Sequence, residues 1–260
     1  MFHRWLIDSS RPQTDNSTSS LESFSRTIAN VTAFSRQGPR PIQFCLLSHL
    51  KGPSGPGGGN IETSLNSLVS FNAIRVIEYP EEHLSVVMTT DHYVQLAKQQ
   101  ATQAYRDIAA GTTSIQKSDV ASVFAQFEHL LLPMTAVSTI PASYAEKLFT
   151  SGSAPRILGE YGLMHGGTMQ DRGLVYRLTI PGFKTLKEQI IAGRKALFER
   201  LKKAGMEGDS SVLRSNAKPL KGSSFDPSFH VLDLVGDGVA MVTAIGGRPT
   251  LRLVNPLFDV

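Results

Sequence analysis

Apolar residues recur at helical spacing from Phe183 to Ala204. At 100° per residue, Leu186, Ile190, Leu197 and Leu201 share a face with Phe183, which predicts one long amphipathic helix opened by Pro181 and Gly182. The same spacing runs through Ile61, Leu65, Leu68 and Val69 and predicts a helix from a cap at Asn60 to Phe71. Ahead of it, Ile42, Phe44, Leu46, Leu47 and Leu50 read as a short helix starting near Pro41. Good helix formers fill 93–109, and Val123, Phe124, Phe127, Leu130 and Leu131 give 120–132 a solid inner face, with Asp119 as cap and Pro133 as stop. Pro141 and Pro155 open two shorter helices, ending at Phe149 and Tyr161.

Strand signals punctuate these helices. Residues 73–79 and 84–88 are joined by Pro80, Glu81 and Glu82. Leu174, Tyr176, Leu178 and Ile180 alternate with Val175, Arg177 and Thr179 as in a half-buried strand, and Gly162 and the pair Gly166-Gly167 read as turns before it. Residues 239–245 and 250–254 form a last hairpin across Gly246-Gly247, after a short turn capped by Asp209, a Lys-, Gly-, Ser- and Pro-rich loop over 216–227, and a short helix over 229–234. The expected class is mainly α with small β-hairpins (α+β). Helices followed by a hairpin occur three times, which suggests tandem winged-helix domains at 41–91, 92–181 and 182–260. Residues 8–27 are polar and read as disordered, and 52–59 (GPSGPGGG) as a flexible loop. The segment 1–40 carries five Arg and three acids and is read as disordered or as an incomplete first piece, with a transit peptide as the alternative.

Charge sharpens the picture. The chain is +4 overall, yet 172–221 holds twelve Lys or Arg against four acids, a net of +8 in that stretch. Lys184, Lys195 and Lys202 line up on one flank of the long helix, and Lys187 and Arg194 border its apolar stripe. With Arg200, Lys203 and Arg214 they make eight candidate nucleic-acid-binding residues. The plain alternative is a solvated helix face. Gly193 lies near the stripe, where the missing side chain lets a neighbour pack close. A single cysteine, Cys45, sits in an apolar run as a buried thiol and excludes a disulfide framework or a multi-cysteine zinc site. No stretch approaches about eighteen apolar residues, so no membrane partner is expected.

The stretch PGFKTLKEQIIAGRKALFERLKKA, followed by FHVLDLVGDGVAMVTAIGGRPTLRL, resembles the C-terminal half of the serine/threonine-protein kinase 19 family. The matching features are Pro181-Gly182, Gly193-Arg194, Phe229-His230, Asp233-Leu234 and Gly236. The stretches IETSLNSLVSFNAIRVIEYP and VVMTTDHYVQ are similar to the family's first wing and the segment after it. This resemblance implies three winged-helix domains, a nuclear location and binding of double-stranded DNA with little sequence preference. It also implies a part in transcription-coupled nucleotide excision repair, with RNA polymerase II and nucleotide excision repair factors as partners. The family's DNA-contacting role carries onto Arg194, with Lys195 and Lys202-Lys203 as further matches. The chain departs from the family after the basic helix, where it reads GMEGDSSVLRSNAK.

Kinase chemistry survives only in the family's name. A protein kinase needs a Gly-rich strand-turn-strand, a strand lysine, a His-Arg-Asp loop and an Asp-Phe-Gly, and the chain contains none. Nor does it contain a phosphate-binding, zinc-protease or nucleophile-elbow motif. Its seven histidines are scattered, and His230 reads as a packed or capping residue. No catalytic residue, metal or cofactor is expected. The alternative to a DNA-binding protein is an interaction scaffold in a nuclear complex.

Overall fold

The computed structural model describes residues 42–51, 61–134, 138–169, 173–205, 208–213 and 217–254. Predictions for 1–40, for 52–59, for Asn60 and for Arg214 lie outside these residues. The fold is mixed α/β, with several helices and small antiparallel sheets that do not close into a barrel. The chain divides into two compact units. One holds the described residues up to Leu65, the piece Leu84–Val86 and those from Lys184 on; the other holds Asn66–His83 and Val87–Phe183.

In chain order the elements begin with β1 (Cys45–Leu46), α1 (Leu47–Lys51), α2 (Ile61–Ser70), β2 (Ile74–Tyr79), β3 (Leu84–Thr89) and α3 (Thr90–Ala109). The expected helix over 42–50 begins instead as a strand, because Cys45 and Leu46 pair with β3. Helix α3 starts three residues before the predicted Tyr93, since the Thr89 hydroxyl caps it by accepting the His92 amide.

The second unit continues with α4 (Lys117–Gln126), which runs into a π-helical turn, Phe127–Leu131. Asp119 is not its cap: the helix starts two residues earlier, and Asp119 sits in the first turn, where a carboxylate still favours the helix dipole. Buried Arg75 reaches the far end of this helix. Its Nη2 donates to the carbonyls of Leu131 and Leu132, and its guanidinium lies 5.0 Å from the Tyr93 ring centre.

Then come β4 (Thr139–Pro141), α5 (Ala142–Leu148), α6 (Ala154–Glu160), β5 (Met164–Met169) and β6 (Gly173–Leu178). The sheet order is β4-β6-β5, with Gly166 opposite Tyr176 and Gly167 opposite Val175. The Gly166-Gly167 pair is therefore strand, not turn: the Tyr176 ring covers Gly166 and supplies the packing that glycine lacks. The facing of β6 also differs from a simple alternation. Val175 and Arg177 are buried while Leu174 is 51% exposed, because Arg177 has a carboxylate partner, Glu81, at 2.9 Å.

The described first unit ends with α7 (Phe183–Ala204), a 3-10 turn Ser211–Leu213, α8 (Pro227–Gly236), β7 (Ala240–Ile245) and β8 (Arg248–Leu253). Strands β7 and β8 pair through the two-residue connection Gly246-Gly247, whose φ angles of 57° and 74° require residues without a Cβ penalty. Asp209 adds a bridge to Leu251, and its carboxylate accepts the Ser211 amide, as a cap should. Helix α8 is longer than the predicted 229–234, because Pro227 fits the first helical turn and Asp226 caps it through the Ser228 amide.

Candidate nucleic-acid interface

Helix α7 forms over the predicted span because its apolar stripe has a core to meet. Leu197, Phe198 and Leu201 pack with Val212, Leu220, Val231, Leu234, Val239, Ala240 and Leu251. Each Val, Leu or Phe among them contributes about 1.5–3 kcal/mol when fully buried. The opposite side faces solvent. Lys184, Lys195, Lys202 and Lys203 are all exposed. The first three fall within about 20° of one another on the helix wheel and span about 27 Å along its axis. Glu188 and Glu199, also exposed, stand among them. Each is four residues past a lysine, the spacing of a weak helix ion pair. Lys202 and Lys203 also occupy the last turn, where cations favour the helix dipole.

Three of the other four candidates, Arg194, Arg200 and Lys187, do not join this face. Arg194 is 5% exposed. Its Nε donates to Asp233 Oδ2 at 2.5 Å, and its Nη2 donates to Asp233 Oδ1 at 2.7 Å and to Asp237 Oδ2 at 3.1 Å. With Nε and Nη2 committed to two carboxylates and the side chain buried, Arg194 serves as a buried tie between α7 and α8. Arg200 binds Asp209 Oδ2 at 2.5 Å and the Ser211 hydroxyl. It fixes the segment after α7 instead of projecting freely. Lys187 is half-buried and has an interaction of its own. Arg214 is outside the described residues.

The tie at Arg194 belongs to a buried polar cluster that the sequence showed only in fragments. Asp233 is fully buried and also accepts the Ser48 hydroxyl at 2.5 Å. Burial alone would raise its carboxyl. The hydrogen bonds and charge of Arg194 outweigh this and hold it below the ordinary carboxylate range. The sequence did carry a signal here, since an acid inside the apolar run FHVLDLV has to meet a buried cation or donor.

His49 and His230 are buried nearby, with Phe229 in edge contact with both rings. Burial pushes both down from 6.5 to about 4, so both are neutral at pH 7. His230 shares a hydrogen bond of 2.8 Å with the Ser223 hydroxyl. Its ring fills the space at Gly193, where any Cβ would overlap it. The close approach expected at Gly193 is therefore made by a side chain, and His230 is packed. Gly236 is equally constrained: a Cβ there would run into the Ser48 carbonyl.

Helix α8 is buried on nearly every side from Pro227 to Leu234. Although it directly precedes the hairpin, it has no free face to lay in a groove. Cys45 is fully buried and its thiol is pushed up to about 12, so it is inert as a nucleophile. Among the described residues, no group of three or more His, Cys, Asp or Glu side chains gathers as a metal site. No helix among them is long and apolar enough to cross a membrane.

No protein-family model matches this chain, and no curated protein matches its sequence.

Proposed function

We propose that this chain is a non-enzymatic, double-stranded DNA-binding protein of low sequence specificity, built from tandem winged-helix domains. It acts in the nucleus in transcription-coupled nucleotide excision repair, beside RNA polymerase II and repair factors. The observation that carries the reading is the line of exposed lysines on α7: Lys184, Lys195 and Lys202, with Lys203 beside them. Lysines on a rigid helix, backed by a packed core, hold positive charge at fixed spacing along a phosphate backbone. Low specificity follows from their chemistry, because a lysine ammonium is a point charge and no Asn or Gln set accompanies it for base readout.

Support for the winged-helix assignment comes from the element order of the first unit. Helix α7, the Asp209 bridge to β8, the Ser211–Leu213 turn, α8 and the β7–β8 hairpin follow one another as helix, strand, helix, helix and wing. The resemblance to the serine/threonine-protein kinase 19 family supplies the nuclear and repair context. The test is fluorescence anisotropy of the full chain with two unrelated duplexes between 50 and 200 mM salt. Equal affinity for both, falling steeply with salt, is the expected result. No binding, or binding indifferent to salt, contradicts the reading.

A second reading, an interaction scaffold within the same kind of nuclear complex, is favoured by the hairpin. Met241 and Ile245 lie on one face of β7, 48% and 42% exposed, directly across from Arg252 and Arg248. Apolar side chains beside arginines make the mixed surface that protein partners use. A Met241→Glu, Ile245→Glu variant that loses a nuclease-resistant protein partner while keeping DNA affinity would establish this role.

A further inference from the structure

The loop between the Ser211–Leu213 turn and α8 carries two more lysines, Lys218 and Lys221, beyond the end of the α7 line in sequence. Lys218 and Lys221 are exposed, and they flank Leu220, which is buried in the same core as Leu197 and Phe198. Three further anchors fix the loop. Ser223 donates its amide to the Leu220 carbonyl and places its hydroxyl on His230 Nε2. The Ser224 hydroxyl donates to Gln189 Oε1 on α7. Gly222 lies so close to α7 that a Cβ built on it would stand 3.0 Å from the Ala192 Cβ, and its φ of 79° again favours glycine.

Ala192 marks the place. It sits one turn before Lys195 and one turn after Glu188 on the same side of α7, and helix positions three or four apart have Cβ atoms about 5–6 Å from each other. The backbone beside Lys221 thereby passes α7 one turn from Lys195, on the flank next to the lysine line. The stretch 217–224 reads AKPLKGSS and contains no acid, so nothing within it offsets the added charge. With Lys184, Lys195, Lys202 and Lys203, six exposed lysines stand against Glu188 and Glu199.

We infer that Lys218 and Lys221 form a second rail of the cationic surface, parallel to the α7 lysines, and contact the phosphate backbone of the same bound duplex. This rests on the DNA-binding reading above. A loop pinned by Leu220, Gly222, Ser223 and Ser224 presents its cations without a large ordering cost on binding, as a floppy basic tail could not. Two rails in place of one widen the contact across the duplex and add two phosphate contacts to the electrostatic footprint.

The experiment compares the full chain with Lys218→Ala/Lys221→Ala and with Lys195→Ala/Lys202→Ala, using one duplex and, separately, polyglutamate as the acidic-protein probe. Thermal unfolding of each variant verifies the fold, and Lys218→Arg/Lys221→Arg is the conservative control. The loop variant should bind duplex about tenfold or more weakly at 0.15 M salt, with its log-affinity against log-salt slope reduced by about 1.8. The arginine variant should match the parent. If the loop variant keeps the parent's affinity and slope while the α7 variant loses both, the second rail is refuted and the DNA reading stands. If the parent itself binds no duplex, both fall. Weakened binding of polyglutamate with unchanged duplex affinity would overturn the inference in favour of an acidic protein partner.

Discussion

At the residue scale, the decisive pair is Arg194 with Asp233. From sequence, a mid-helix Gly-Arg in a basic segment reads as a ligand contact, because a helix wheel cannot show which carboxylate waits on another helix. Burial changes its meaning. Asp233→Ala leaves the buried guanidinium with Asp237 as its one remaining carboxylate partner and should cost about 3 kcal/mol in denaturant unfolding. Arg194→Met/Asp233→Leu removes both charges from the same site and should recover most of that loss. It should also leave the salt slope of DNA binding untouched, since Arg194 faces Asp233 and Asp237. A reduced slope in this double variant would show that Arg194 reaches phosphate after all. Gly193→Ala gives a second residue-level check. Alanine is the better helix former by about 1 kcal/mol, but here its methyl overlaps the His230 ring. Net destabilisation of about 1–3 kcal/mol is expected, and a stabilised variant would contradict the packing.

At the element scale, what was legible depended on whether a segment's neighbours were local. Helix α7 appears over the predicted residues because its stripe is encoded within the segment. The final hairpin forms where it is expected, with its second strand starting two residues earlier at Arg248, because Gly246-Gly247 sets its own turn chemistry. Residues 42–50 and β5 were misread for one reason: their conformation comes from a distant strand. Cys45 and Leu46 pair with β3, and Gly166-Gly167 pair with β6. Of the eight candidate cations, the exposed Lys184, Lys195, Lys202 and Lys203 were the ones a wheel could place, whereas the arginines' partners, Asp209, Asp233 and Asp237, lie beyond α7. Exposure also predicts what substitution does. Lys195→Ala and Lys202→Ala should each change stability by no more than about 0.5 kcal/mol while weakening duplex binding. A binding loss accompanied by a large fall in unfolding midpoint would point to a structural role for these lysines.

At the scale of the whole molecule, three buried groups set a pH dependence. His49 and His230 are held neutral with values near 4, against 6.5 when free. The unfolded chain therefore binds protons that the folded chain refuses, and stability falls as pH drops from about 6.5 toward 4. The slope reaches about 1.4 kcal/mol per pH unit for each histidine. Asp233, held low, adds stability that is present above the usual carboxylate range and is lost only as pH falls through its depressed value. Denaturant unfolding at pH 7, 6 and 5 should show a progressive loss beginning above pH 5, and Asp233 alone cannot produce it. His230→Gln should flatten the curve between pH 6 and 5, and an unflattened curve would remove His230 from the account.

The central claim is that the solvent face of α7 binds DNA backbone. The most direct measurement is the salt dependence of duplex affinity for the full chain and for Lys184→Ala/Lys195→Ala/Lys202→Ala, with circular dichroism confirming an unchanged fold. The account predicts a slope lower by about 2.7 for the triple variant, about 0.9 for each cation removed. Equal slopes and equal affinities for the two proteins would contradict it.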